Sequence, residues 1–338
     1  MADLEWLLQE YEGRLSHIDL CAALMALAKY PAGYQRQQLA QQLTHKLADT
    51  RQGRPLLESL DARGQASVLY SWAKMRYWPD PHFMDLLNTF TATARGATPR
   101  ELSNVTWALN QAWQAWQARP HPWHPCQQQV QEYMQKLQAA CMPALQEMNF
   151  QDVSNLLLAA QGTGVLGDGL APGLLLHIRR LLGPTAPQFE PQALSNSLWS
   201  LAKLGHAGCH ELLQDAARAV LQHGCMRGAT PQAWSNLMWA FATLVHPDSL
   251  DLCRYVAGQV VQHDCMRGAK PQEWSNLIWA VATLRHPDSL ELCRYVARQV
   301  VQHDCMHGAA PQNWSNLVWA FATLGHPDSQ ELCRYMAG

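Results

Sequence analysis

Gln232, Asn236, Trp239 and Thr243 follow one another at steps of four, three and four residues. On a helix that spacing sets a flat aromatic ring beside three hydrogen-bonding side chains on one face. Forty residues later the set recurs as Gln272, Asn276, Trp279 and Thr283, and forty later again as Gln312, Asn316, Trp319 and Thr323. The preceding copy reads Gln192, Asn196, Trp199 and Lys203, and a more distant one Arg100, Asn104, Trp107 and Gln111. A ring face stacks on a nucleobase for about 1–3 kcal/mol, and a carboxamide can bond a base edge. The chemistry these residues suggest is recognition of bases rather than bond making.

The same residues have a plainer reading. A tryptophan on a repeated helix packs between neighbouring units, and a recurrent asparagine can form a ladder whose buried amides satisfy each other. The spacing alone leaves both readings open.

The elements that carry the stripe repeat as whole sentences. "PQAWSNLMWAFATLVHPDS" starts at Pro231, "PQEWSNLIWAVATLRHPDS" at Pro271 and "PQNWSNLVWAFATLGHPDS" at Pro311, with "PQALSNSLWSLAKLGH" at Pro191. Weaker copies begin at His17, Ala62, Pro99 and Phe150. Each unit reads as two helices. Proline suits the first helical turn, Thr230 caps in front of it, and Lys270 and Ala310 cap poorly there. Trp234, Leu237, Met238, Phe241 and Leu244 form the apolar face of the first helix. "HPDS" ends it and starts the second, with Asp248 or Ser249 as N-cap. Leu252, Val256 and Val260 line the second helix, and Gly228 closes the unit. The expected fold is all-α, a right-handed-type α-solenoid of about eight tandem helix-turn-helix repeats of ~40 residues.

Within it, residues 1–16 read as a helical lead-in, 17–190 as degenerate repeats and 191–338 as four regular ones, the last incomplete. The Pro-, His- and Trp-rich stretch from Ala112 to Cys126 reads as an inserted loop, and Gly162 to Pro172 as a flexible connection. The abrupt end, without a polar capping unit, leads to the expectation of a fragment that also lacks its N-terminus.

Some letters change at fixed places. The third helical residue is Ala193, Ala233, Glu273 and Asn313, with Glu101 and Asp152 upstream. It lies one turn before the asparagine, so Ala233, Glu273 and Asn313 are candidates for choosing the base in each unit; drift at exposed sites is the alternative. The residue before the proline (Glu190, Thr230, Lys270, Ala310) and the one after the helix (Val245, Arg285, Gly325) also vary. Arg227 and Arg267 precede helix N-termini, where phosphate binds well, although a solvated loop arginine explains them too.

Composition limits the remaining possibilities. The formal charge of the 338 residues is −2, so phosphate attraction cannot dominate affinity for a nucleic acid. No run approaches the ~18 apolar residues of a membrane span. The opening "MADLEWLLQEYEG" resembles neither a secretory signal nor a transit peptide. The ten cysteines include no CxxC pair and read as reduced, mostly buried thiols. There is no phosphate-cradling glycine motif. His, Cys, Asp and Ser recur equally in every unit, whereas an enzyme needs one organised site. His121, His124 and Cys126 are too few for a convincing metal centre. No enzyme, cofactor, small-molecule substrate or membrane association is expected.

The quoted repeats resemble those of the octotricopeptide repeat (OPR) family, specifically from Pro191 to Gly338 and more loosely from about residue 17. The resemblance implies a helix-pair solenoid that binds single-stranded RNA by sequence, about one base per repeat. It also implies action in chloroplasts, in the stability, processing or translation of transcripts, with other proteins of a ribonucleoprotein complex as further candidate partners. No C-terminal RAP-type domain of the kind many relatives have is visible. The rival reading is a solenoid scaffold for a protein partner.

Overall fold

The computed structural model describes residues 2–335 apart from 12–13, 52–53, 120–123, 184–189, 246–248, 286–288 and 326–333. Its architecture is all-helical apart from one two-residue antiparallel strand pair. In order come α1 (Ala2–Glu10), α2 (His17–Leu27), α3 (Tyr34–Ala48), β1 (Thr50–Arg51), β2 (Arg54–Pro55), α4 (Ala62–Met75) and α5 (His82–Thr93). Then follow α6 (Pro99–Ala118), α7 (Gln127–Ala144), α8 (Phe150–Thr163), α9 (Ala171–Leu181), α10 (Pro191–Leu204) and α11 (His210–His223). The last are α12 (Pro231–Leu244), α13 (Ser249–His263), α14 (Pro271–Leu284), α15 (Ser289–His303) and α16 (Pro311–Thr323). The fold is an α-solenoid of helical repeats, in two compact units, Met1–Gly173 and Leu174–Gly338.

Local signals start and stop these helices. Pro99, Pro191, Pro231, Pro271 and Pro311 each begin one, where the missing N–H has no partner to lose. Thr98 and Glu101 form a reciprocal capping box on α6, as do Asn149 and Asp152 on α8. Thr230 Oγ1 accepts from Ala233 N at 3.2 Å. Where Lys270 replaces the threonine, Glu273 caps instead, its carboxylate accepting from Lys270 N at 2.7 Å. Gly228, Gly268 and Gly308, with φ of 75°, 75° and 70°, close successive units. Of the "HPDS" signal, His246, Pro247 and the candidate N-cap Asp248 lie outside the described residues. Ser249 is the first residue of α13, and its hydroxyl donates to Phe241 O at 3.3 Å, tying the second helix to the first.

Each pair of helices shares an apolar core. Trp234, Leu237, Met238 and Phe241 are buried, against Leu252, Val256 and Val260 of the second helix; Leu244 is only half-buried. Successive first helices pack closer together than successive second helices do, as α4, α6 and α8 in one unit and α10, α12, α14 and α16 in the other. Small side chains permit this approach. Ser195, Ser200, Ser275, Ala240, Ala280 and Ala320 have no exposed surface. Ser195, Ser235 and Ser275 return their hydroxyls to their own helices, to Gln192 O and Gln232 O at 3.1 Å and to Gln272 O at 3.0 Å.

Two expectations about loops are corrected. The first half of the supposed insert is helix: α6 continues to Ala118, and Trp113 and Trp116 are buried. Trp116 packs edge-on to Phe83 at 5.6 Å and stacks on His124 at 5.1 Å. In the Gly162–Pro172 segment, Gly162 and Thr163 end α8, Ala171 and Pro172 begin α9, and the stretch between them is a bonded turn. Gln138 holds it with both ends of its amide, donating to Val165 O at 2.7 Å and accepting from Gly167 N at 2.9 Å.

Among the described residues no two cysteines form a disulfide, and Cys126 is the exposed exception to the expected burial. Burial pushes the Cys225, Cys265 and Cys305 thiols up to about 12, so they stay neutral at physiological pH. No described helix is long and apolar enough to cross a membrane.

The variable residue after the first helix is its left-handed C-cap. Gly205 suits this conformation, whereas Val245 (φ 48°) and Arg285 (φ 50°) occupy it at a steric cost. Val245 is 73% exposed and contributes little packing in return. Val245→Gly is expected to stabilise the Leu174–Gly338 unit by about 1 kcal/mol, read as a higher denaturant midpoint. A lower midpoint would contradict this assignment.

Candidate nucleic-acid interface

Close approach of the first helices brings the tryptophans into a continuous row. Ring centroids are 6.2 Å apart for Trp199–Trp239, 6.1 Å for Trp239–Trp279 and 6.3 Å for Trp279–Trp319, with interplanar angles of 50°, 27° and 32°. The first three rings are half-buried and Trp319 is 45% exposed. Each ring therefore packs on its neighbours while part of it remains accessible. Lys203 sits at the head of the row, its ammonium 5.7 Å from the Trp199 centroid and 4.7 Å from that of Trp239.

The amides form a second row, one turn towards the N-termini. Asn236 Nδ2 donates to Asn196 Oδ1 across the repeat boundary at 3.1 Å, and Gln192 Nε2 donates to the same oxygen at 3.0 Å. Thr230 Oγ1 in turn donates to Gln192 Oε1 at 2.7 Å. Gln312 bonds Asn316 at 2.8 Å in the same way. Asn236 is 9% exposed, while Asn276 and Asn316 are half-buried. The two readings of the asparagines thus coexist: they tie repeats together and border the exposed face. Gln232, Gln272 and Gln312 are exposed, as are Lys203 and Thr243. Thr283 and Thr323 are half-buried, and Thr283 returns its hydroxyl to Trp279 O at 2.9 Å.

The Met1–Gly173 unit carries the same face in a looser form. Tyr70 and Trp107 lie 5.1 Å apart, with the Lys74 ammonium 5.8 Å from the Tyr70 centroid. They border a groove of about 790 Å³ that also includes Asn104, Asn155, Arg63 and Arg100. Gln151 bonds Asn155 at 2.8 Å, repeating the Gln192–Asn196 arrangement. Tyr70, Lys74 and Arg63 are absent from the residues expected from the sequence. Their signal was nevertheless there: "YSWAK" from Tyr70 to Lys74 parallels "WSLAK" from Trp199 to Lys203.

The proposed base-choosing site is corrected. Ala233 and Ala193 are 0% and 1% exposed, so neither can touch a strand. Glu273 caps α14, and Glu101 caps α6. Asn313 Oδ1 accepts from Ser275 of the preceding repeat at 3.4 Å, and Asp152 Oδ1 from Ser103 at 2.7 Å. The position serves helix starts and repeat-to-repeat bonding. Arg227 and Arg267 are also not gathered on the tryptophan face. They are exposed in the turns before α12 and α14, and Arg227 lines a separate cavity with Trp234, which projects about 200° around α12 from Asn236.

Among the described residues no cluster of three or more His, Cys, Asp or Glu could hold a metal ion. What the first-helix face offers is flat aromatic surface, amides and a few cations. Replacing core Trp234 with alanine should cost about 3–5 kcal/mol of stability. Trp319→Ala should cost only the about 0.5–1.5 kcal/mol of one aromatic pair. Denaturant titration compares the two; equal losses would make the tryptophan row part of the core. No protein-family model matches this chain, and no curated protein matches it significantly.

Proposed function

We propose that the first-helix face binds single-stranded RNA, about one base per repeat and about four bases per unit. The observation that carries this reading is the accessible row Trp199–Trp239–Trp279–Trp319, bordered by amides and headed by Lys203. Its 6.1–6.3 Å steps are nearly twice the ~3.4 Å rise per nucleotide of a stacked strand. One base per repeat therefore requires an extended strand whose bases have left each other and stack on protein instead. Unpaired bases of RNA suit such a surface, since their faces and edges are both free.

Asn276, Asn316 and their counterparts read base edges, while Gln232, Gln272 and Gln312 have the exposure to follow them. The site holds and positions a strand without a catalytic step. Action on organellar transcripts follows from the octotricopeptide resemblance, as a setting for this binding.

Four cations border the two faces: Arg63, Lys74, Arg100 and Lys203. At about 0.7 per neutralised phosphate of a single strand, the slope of log affinity against log salt should be roughly −3. Selection from a random single-stranded RNA pool should enrich a short motif, and Asn276→Ala should relax one position of it. Failure to enrich any motif at low salt, with helical content intact, would overturn the RNA reading. A protein partner would then be the occupant to seek.

A further inference from the structure

On the other side of the first helices a second feature repeats. Trp234 and Tyr255, Trp274 and Tyr295, and Trp314 and Tyr335 form tilted aromatic pairs with centroids 6.2, 6.3 and 6.5 Å apart. Each pair belongs to one repeat and faces the turn that leads into its first helix. In two of the three copies that turn supplies an aspartate. Tyr295 donates its hydroxyl to Asp264 at 2.5 Å, and Tyr335 to Asp304 at 2.7 Å. These bonds latch the turn to the next second helix. Burial and the carboxylate bond both hold the Tyr295 hydroxyl protonated.

In the first copy the aspartate's place is taken by Gly224. Nothing there bonds the Tyr255 hydroxyl among the described residues. A cavity of about 520 Å³ opens beside it, lined by Arg227, Trp234, Tyr255, Gln259 and His263, and no carboxylate lines it. Arg227 makes no ion pair with a described residue. The third copy keeps a cavity, about 710 Å³, but Asp304 lines it and takes both the Tyr335 hydroxyl and, at 3.3 Å, His307. The chain thus carries its own comparison: the same pocket with and without an internal anion.

We infer that the Gly224 pocket binds a small aromatic monophosphate, with the chemistry of a nucleoside 5′-monophosphate. Arg227 and the Tyr255 hydroxyl meet the phosphate in the position that Asp264 and Asp304 occupy in the other copies. The half-buried Tyr255 ring stacks on the flat ring, the buried Trp234 backs the pocket wall behind it, and Gln259 offers an amide to its edge. The volume lies within the range of small-molecule pockets, about 300–1,000 Å³. The inference does not rest on RNA binding at the tryptophan row, which lies on a different face of α12.

Gly224→Asp is the decisive variant. Gly224 has φ of 59°, and Asp264 and Asp304 adopt 49° and 47° at the same place, so aspartate is compatible with the backbone. An added Cβ meets nothing within 4 Å. Calorimetric titration of the full chain with adenosine and uridine 5′-monophosphate should show one site, weakened at least tenfold by Gly224→Asp and by Arg227→Gln. Inorganic phosphate and the free nucleosides should bind more weakly than the nucleotides. Asp264→Gly should open a second site and raise the stoichiometry from one to two. A 5′-phosphorylated oligonucleotide that competes, where its 5′-hydroxyl counterpart does not, would identify the end of a strand as the source; absence of competition would identify the free nucleotide. Lack of nucleotide binding by the native chain, or binding unchanged in both Gly224→Asp and Arg227→Gln, would overturn the inference.

Discussion

Close packing of the first helices through serine and alanine is the contact on which the rest of this structure depends. Ser195, Ser235, Ser275, Ala240 and Ala280 leave almost no side chain between neighbouring helices. The tryptophans, one turn further along, are consequently brought to steps of 6.1–6.3 Å. Larger residues at the serine positions would spread the helices and open the row. The amide bonds between Gln192, Asn196 and Asn236 then hold successive repeats in register. Repeat packing and the spacing of the accessible rings are thus set by the same approach distance.

Much of this was legible because it repeats. The period of 40, the proline at the first helical position and the apolar spacing of Leu237, Met238 and Phe241 define two helices per unit without further information. The polar stripe was legible too, since residues at steps of four, three and four must share a face. What periodicity does not report is depth. The third helical position varies like an exposed site, yet it lies where the helix start meets the preceding repeat. Ala233 is buried there, while Glu273 and Asn313 make caps and cross-repeat bonds. Variation at that place reflects several local ways to satisfy one helix end.

The Ala112–Cys126 stretch reads as a loop for a related reason. Proline and histidine in its second half suggested a loop throughout, yet Trp113 and Trp116 continue the buried face of Leu109 at helical spacing. Composition averaged over the segment hid a periodicity that stops only at Arg119. The Tyr70–Lys74 pair departs from the repeated sequence pattern because tyrosine replaces tryptophan, although ring and cation keep the arrangement of Trp199 and Lys203.

The distribution of charge suits a surface that relies on stacking. With a net charge of −2 and few cations beside the rings, the RNA binding we propose draws its affinity from bases leaving water and each other for aromatic faces. The most direct test is photocrosslinking of a single-stranded RNA to the intact chain, with the attached peptides mapped by mass spectrometry. Crosslinks concentrated on α12, α14 and α16 at Trp239, Trp279 and Trp319 are the expected result. Crosslinks confined to the second helices α11, α13 and α15, or none above those to an unrelated protein, would contradict it.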